Sequence, residues 1–227
     1  MIPSQPSTPV VGTLGLFRRR ECWVPTWKGT LLLLVLLTLV VTAGIRGLHP
    51  FLAVTDRVET PILVMEGWTP DFVAHATLAE FSRGHYERVW VTGGAIEKGL
   101  PLVEWKSWAE VGGATLVRIG FPTHRLTVVP GQAVDRDRTF NSALALRDLF
   151  RREGRVPSAI QVVSDGPHGR RTRLLFEAAF GPATRVGILS IPDPRYPPDH
   201  WWSTSLGFRD VIGEAVAYVY GRFLFRP

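Results

Sequence analysis

The chain holds one cysteine, Cys22, and none after it. Everything downstream therefore needs no disulfide and has no thiolate for a metal or for nucleophilic attack. His49, His75, His85, His124 and His200 show no ligand spacing, and no metal site is expected. There is no Gly-x-Ser-x-Gly elbow, which argues against a serine hydrolase of the usual kind. Neither a Walker-type loop nor a Gly-x-Gly-x-x-Gly fingerprint is present, so a nucleotide or adenosyl cofactor would have to bind without one, and the cofactor is unknown. An excess of one charge is also missing from most of the chain. Residues 1–46 carry Arg18, Arg19, Arg20, Lys28 and Arg46 against Glu21, whereas the remainder has 21 basic and 19 acidic residues. A phosphate-backbone binder normally shows a basic face, so nucleic acid is not an expected partner.

What the chain has is one long apolar run. Residues 1–16 are rich in Pro, Ser, Thr and Gly and read as disordered, and the whole of 1–28 as a basic cytoplasmic segment. Gly29 to Ile45 is uncharged, at the short end of a membrane span, and residues 29–46 are assigned as a transmembrane anchor. Basic residues are denser before it, which places the amino terminus in the cytoplasm and the larger part of the chain outside. Val41-Thr42-Ala43 is a possible cleavage site, but the long leading segment favours an uncleaved anchor.

Residues 55–227 alternate short apolar runs with helical spacing. Strands are expected at Ile62–Met65, Val89–Thr92, Leu126–Val129, Ile160–Val163 and Val186–Ile191. Helices are expected from Asp71, as a cap, to about Ser82; from Val103 to Ile119; from Asp137 or Thr139 to near Gly154; and from about Arg170 to Gly181. A last helix carries Ile212, Ala215, Val216, Val219 and Phe223 at spacing that suits a core-facing stripe, with membrane-interface contact as the alternative for the terminal aromatics. The pattern implies an α/β domain whose mostly parallel sheet is covered on both faces.

In such a sheet the strand ends converge on one edge, where ligands bind. Here those ends bring Glu66, Gly93 and Gly94, the Arg138–Ser142 block, and Ser164 with His168 and Arg171. Glu66 is either a general base or ligand-binding group, or a cap for a neighbouring helix. Gly93-Gly94 either admits a ligand to the backbone or makes a tight turn. Thr139, Asn141 and Ser142 suit an N-cap, and Arg138 and Arg171 at helix starts suit an anionic ligand. His168, beside Gly, Pro and Arg at a strand end, is the candidate acid/base or phosphate donor.

The order of these motifs resembles the SanA/YdcF/ElyC-like family of bacterial envelope proteins. The similarity runs from about Pro61 to Ile191. It rests on the strand ending at Glu66-Gly67, on Val91-Thr92-Gly93-Gly94, on Glu104 in the next helix, on Thr139 to Ala143, and above all on Val162-Val163-Ser164 with His168 and Arg171. The chain departs from that pattern at Met65-Glu66-Gly67, where the family has a Gly-rich turn, and at Asn141 and Ser142, where it has a carboxylate and an amide; Glu66 would have to replace that carboxylate. The resemblance implies a Rossmann-like three-layer sandwich preceded by one transmembrane helix, tethered at the inner membrane and serving envelope or peptidoglycan homeostasis. It also brings in a small anionic or lipid-linked ligand. Whether the domain turns that ligand over, senses it, or acts as a scaffold through exposed aromatics such as Trp201 and Trp202 is left open by the sequence, as is oligomeric state.

Overall fold

The structure, a computed structural model, describes residues 25–97 and 104–227. The expectations for Cys22, the Arg18–Arg20 cluster and Val103 lie outside the described residues. The chain divides into two compact units, at Ala43/Gly44. The described part of the first is helical, the beginning of α1 (Trp27–Leu52). This 26-residue helix has a mean hydropathy of 2.4 over its most apolar window, none of which is buried, and is long and apolar enough to cross a membrane. The helix runs past Ile45, the end of the uncharged stretch, and takes Pro50 into its last turn.

The second unit, Gly44–Pro227, is an α/β domain. Its strands are β1 (Ile62–Glu66), β2 (Arg88–Gly93), β3 (Leu126–Pro130), β4 (Ala159–Asp165) and β5 (Arg185–Ile191), with helices α2 (Asp71–Arg83), α3 (Trp108–Arg118), α4 (Arg138–Arg152), α5 (Gly169–Phe180) and α6 (Ser205–Val219). All five strands are parallel, in the order β3-β2-β1-β4-β5. Ile62 to Met65 is buried on both sides, as expected of a continuous apolar run in the middle of a parallel sheet. One face packs Val64, Trp90, Val162 and Ile188 against Leu146 and Phe150 of α4 and Phe176 of α5. The other packs Leu63, Met65, Val89 and Val91 against Val73 and Phe81 of α2 and Leu116 of α3. The result is the three-layer, Rossmann-like sandwich. The chain reverses its direction of travel across the sheet between β1 and β4, and a crevice opens at that switch point.

Three local expectations are corrected. Helix α3 starts at Trp108, so Glu104 precedes it. The start is set by a capping box, in which Ser107 Oγ accepts from the Glu110 amide at 3.2 Å and the Glu110 carboxylate from the Ser107 amide at 2.8 Å. Asp71 does not cap α2; it is the first helical residue after Pro70. Apart from Ala215, the stripe on α6 does not face the core. Val216, Val219 and Phe223 are 66%, 53% and 75% exposed, and the residues α6 buries are Gly207 and Val211. Gly207 is seated so closely that a Cβ there would come within 2.5 Å of the Trp201 carbonyl oxygen. Close approach selected a small residue on the buried side, and small residues leave little trace in an apolar periodicity.

Candidate functional site

Glu66 is the last residue of β1 and is 1% exposed. A buried carboxylate is costly unless donors surround it, and here they do. Oε2 accepts from Ser164 Oγ at 2.6 Å and from Thr172 Oγ1 at 2.9 Å, and Oε1 accepts from Trp68 Nε1 at 3.2 Å. Burial works to raise its pKa. The positive charge and hydrogen bonding of His168, with the two hydroxyls, outweigh it and hold the carboxyl below its ordinary range.

His168 reaches Glu66 because β4 passes into α5 with almost no loop. The strand ends at Asp165, one 3₁₀ turn covers Gly166–His168, and α5 begins at Gly169. A Cβ at Gly169 would lie 1.9 Å from Ser190 Oγ, so glycine is what lets the helix start against β5. The imidazole is 5% exposed and meets the Trp68 ring edge-on at 4.6 Å. Its Nε2 stands 3.7 Å from Glu66 Oε1, and its Nδ1 2.9 Å from Glu214 Oε1. Arg171, one turn into α5, donates Nε to Glu214 Oε2 at 2.8 Å and Nη2 to Oε1 at 2.9 Å. Burial and the Arg171 charge push the His168 pKa down, but the carboxylates of Glu214 and Glu66 prevail and raise it to about 9. That direction favours the imidazolium, in which Nδ1–H donates to Glu214; Arg171 Nη2 also stands 2.9 Å from Nδ1, and the buried Nε2 has no hydrogen-bond partner among the described residues.

Above this network lies a cavity of about 480 Å³, in the size range of small-molecule sites. His168, Arg171 and Glu214 line it together with Trp68, Gly94, and Arg136, Arg138, Thr139 and Ser142 around the start of α4. Residue Asp137 precedes that helix in the left-handed conformation (φ 56°), and its side chain makes no cap bond. Arg138 is paired with Glu97 at 3.2 Å, both more than half exposed. Arg136 has no ion-pair partner among the described residues.

Of the ten residues singled out from sequence, six line the cavity: Gly94, Arg138, Thr139, Ser142, His168 and Arg171. Glu66 and Ser164 lie in the buried layer joined to His168. Gly93 packs against α3, where a Cβ would come 2.6 Å from the Ala109 amide nitrogen. Asn141 Nδ2 donates to the Asp137 carbonyl, and the residue lines a separate hollow beside β3. Sequence reasoning missed Glu214, Trp68 and Thr172. Glu214 was visible as the one acidic residue between Asp210 and the end of an apolar stretch, but its partners lie 43 and 46 positions earlier. No group of three or more His, Cys, Asp or Glu among the described residues could hold a metal ion.

No protein-family model and no curated protein matches the chain. What the geometry offers is an imidazole braced by two carboxylates beneath a cavity whose rim carries Arg136 and Arg138 beside Asp135 and Asp137.

Proposed function

We propose that the protein is a membrane-anchored, Rossmann-like component of the bacterial cell envelope that binds or processes an anionic, phosphate- or carboxylate-bearing metabolite. The domain then lies on the extracytoplasmic side of the inner membrane. The observation that carries this reading is the imidazolium of His168, held between two carboxylates at the floor of a cavity that Arg136 and Arg138 border. Within the buried layer Glu66 and Glu214 neutralise His168 and Arg171, and on the rim Asp135 and Asp137 stand beside Arg136 and Arg138, so the attraction for an anion is local to the two guanidinium groups and not a net charge of the rim. The start of α4 adds the partial positive charge of its exposed amides. The resemblance to SanA/YdcF/ElyC-like proteins agrees with this reading and is the source of its envelope setting.

In a reacting complex His168 would be the acid, protonating a leaving group or hydrogen-bonding a phosphoryl or carboxylate oxygen. Glu66 and Glu214 keep that proton in place, while Arg138 and Arg136 orient the anion. A second reading, a sensor that does not turn its ligand over, is favoured by one observation. The hydroxyls paired with a carboxylate, those of Ser164 and Thr172 on Glu66, are fully buried and do not line the cavity.

The test is a thermal-shift series on the full chain in detergent with inorganic phosphate, a nucleotide sugar, a polyprenyl phosphate and an adenosyl compound. A ligand at a hundred times its dissociation constant stabilises by about 2.7 kcal/mol. The shift should shrink in Arg136→Ala and Arg138→Ala and vanish in His168→Gln. No shift with any of these compounds sinks the reading. A shift without product in a mass-spectrometric assay selects the sensor.

A further inference from the structure

Helix α6 has two apolar faces. Val211 points into a small core with Leu52, Tyr196 and Trp201, against which Leu48, Leu206 and Ala215 pack. The second face holds Phe208, Ile212, Val216 and Val219, which recur at four- and three-residue spacing and are 38–66% exposed. A π-helical turn, Tyr220–Leu224, extends it with Phe223 and Leu224, 75% and 68% exposed. Large apolar side chains gathered on one exposed face mark an interaction site.

We propose that this face of α6 and its π turn lies on the surface of the lipid bilayer, its side chains among the headgroups and upper acyl chains. The first argument is continuity. Ile45 closes the uncharged run of α1, and its carbonyl accepts a hydrogen bond from Trp201 Nε1 at 3.1 Å. Trp201 and α6 belong to the same small core as Leu48 and Leu52, so α6 is fastened to the chain within a turn or two of where that run ends. Continuity, unlike charge and aromatic content, rests on the proposed reading of the run as a membrane anchor. The second argument is charge. After Glu214 the chain has no acidic residue, while Arg222 and Arg226 flank the exposed apolar residues. An apolar stripe that ends among arginines fits a bilayer interface containing anionic lipid. The third is aromatic content: Tyr220, 45% exposed, directly follows Val219, and Trp202 and Tyr218 are partly buried against the same small core, residue types that settle at headgroup level. A soluble partner would explain the stripe but not its tie to Ile45, nor that the only charged residues beyond Glu214 are Arg222 and Arg226.

The test uses the full chain with Cys22→Ser as background, reconstituted into vesicles of phosphatidylcholine and phosphatidylglycerol. A nitrobenzoxadiazole label is placed in turn through Val216→Cys, Phe223→Cys, Val156→Cys and Leu37→Cys, and bromine-labelled lipids serve as quencher. Val156 is 72% exposed just before β4, at the opposite end of the strands from the cavity, and serves as the control. The expected result is quenching of about twofold at Val216→Cys and Phe223→Cys and none at Val156→Cys. Quenching at Leu37→Cys alone overturns the docking face and leaves the anchor standing. Quenching at Val216→Cys and Phe223→Cys without Leu37→Cys keeps the docking face and removes the anchor. An unquenched blue shift at Val216→Cys that grows with protein concentration assigns the face to a second copy of the chain and overturns the proposal.

Discussion

Glu66 and Glu214 bracket a single imidazole, the first 3.7 Å from its Nε2 and the second 2.9 Å from its Nδ1. One carboxylate comes from the first strand of the sheet and the other from α6. The ring between them is the point at which the middle of the domain is joined to its last helix, and most of the testable behaviour follows from that arrangement.

Glu214→Gln keeps the shape of the side chain and removes the charge that faces both His168 and Arg171. Breaking a fully buried ion pair costs roughly 3–5 kcal/mol. Glu214 keeps a fifth of its side chain exposed, so a loss of about 2 kcal/mol in a urea melt is expected. The His168 pKa should fall from about 9, read by NMR of the imidazole. An unchanged titration would show that Glu214 does not set the ring's charge.

Stability should depend on pH through His168. The folded ring holds its proton up to about pH 9, against 6.5 for an unperturbed histidine. Its contribution is complete below pH 6.5 and is lost as pH rises through 9, on the order of 3 kcal/mol. Denaturant midpoints across that window should fall for the native chain and stay nearly flat for His168→Gln. Parallel curves for the two proteins would remove His168 from the alkaline transition.

Asp165 acts in the opposite sense. Burial, helped by the negative charge of Asp193, pushes its pKa up to about 7 against the opposing effects of His168 and Arg195. The folded state then holds a proton that the unfolded chain releases near pH 4, so stability declines as pH climbs from about 4 to 7. Asp165→Asn should abolish that decline and make the protein more stable at neutral pH. A variant less stable than the native chain at pH 7 would mean that the ionised carboxylate has a partner.

Neighbouring glycines should behave differently. A Cβ at Gly93 would collide with the backbone of α3, whereas at Gly94 the nearest atom is the Gln132 carbonyl oxygen at 3.7 Å. Gly93→Ala should cost about 1–3 kcal/mol, and Gly94→Ala should stay within about 0.5 kcal/mol. Equal losses would mean that the pair acts as one turn.

The sheet was readable because each strand is a short, nearly continuous apolar run closed by Gly, Pro or a charged residue, as at Ile62–Glu66 and Ala159–Asp165. Parallel pairing followed from the helices between the runs. The start of α3 was written in the chain as Ser107-Trp-Ala-Glu110 and was missed because the apolar spacing upstream drew the helix too far back. The inward face of α6 was hidden by its own packing, since Gly207 and Ala215 add little hydropathy while the exposed Val216 and Phe223 add much. At the site, His168 and Glu66 stood out as polar residues ending apolar strands. Glu214 did not, because nothing near it in the chain indicates that an imidazole and a guanidinium wait elsewhere for its charge.

That separation has a consequence for biosynthesis. Glu66 leaves the ribosome 148 residues ahead of Glu214, an interval of roughly 7–30 s at ordinary elongation rates. His168 and Arg171 are made 46 and 43 residues ahead of Glu214, and for the roughly 2–9 s this takes they have no carboxylate from α6 to neutralise them. The nascent sheet can form with its hydroxyls already on Glu66, yet the floor of the cavity carries unmatched positive charge until α6 arrives. A chain that stops before residue 214 therefore lacks the carboxylate that both His168 and Arg171 bond in the finished protein.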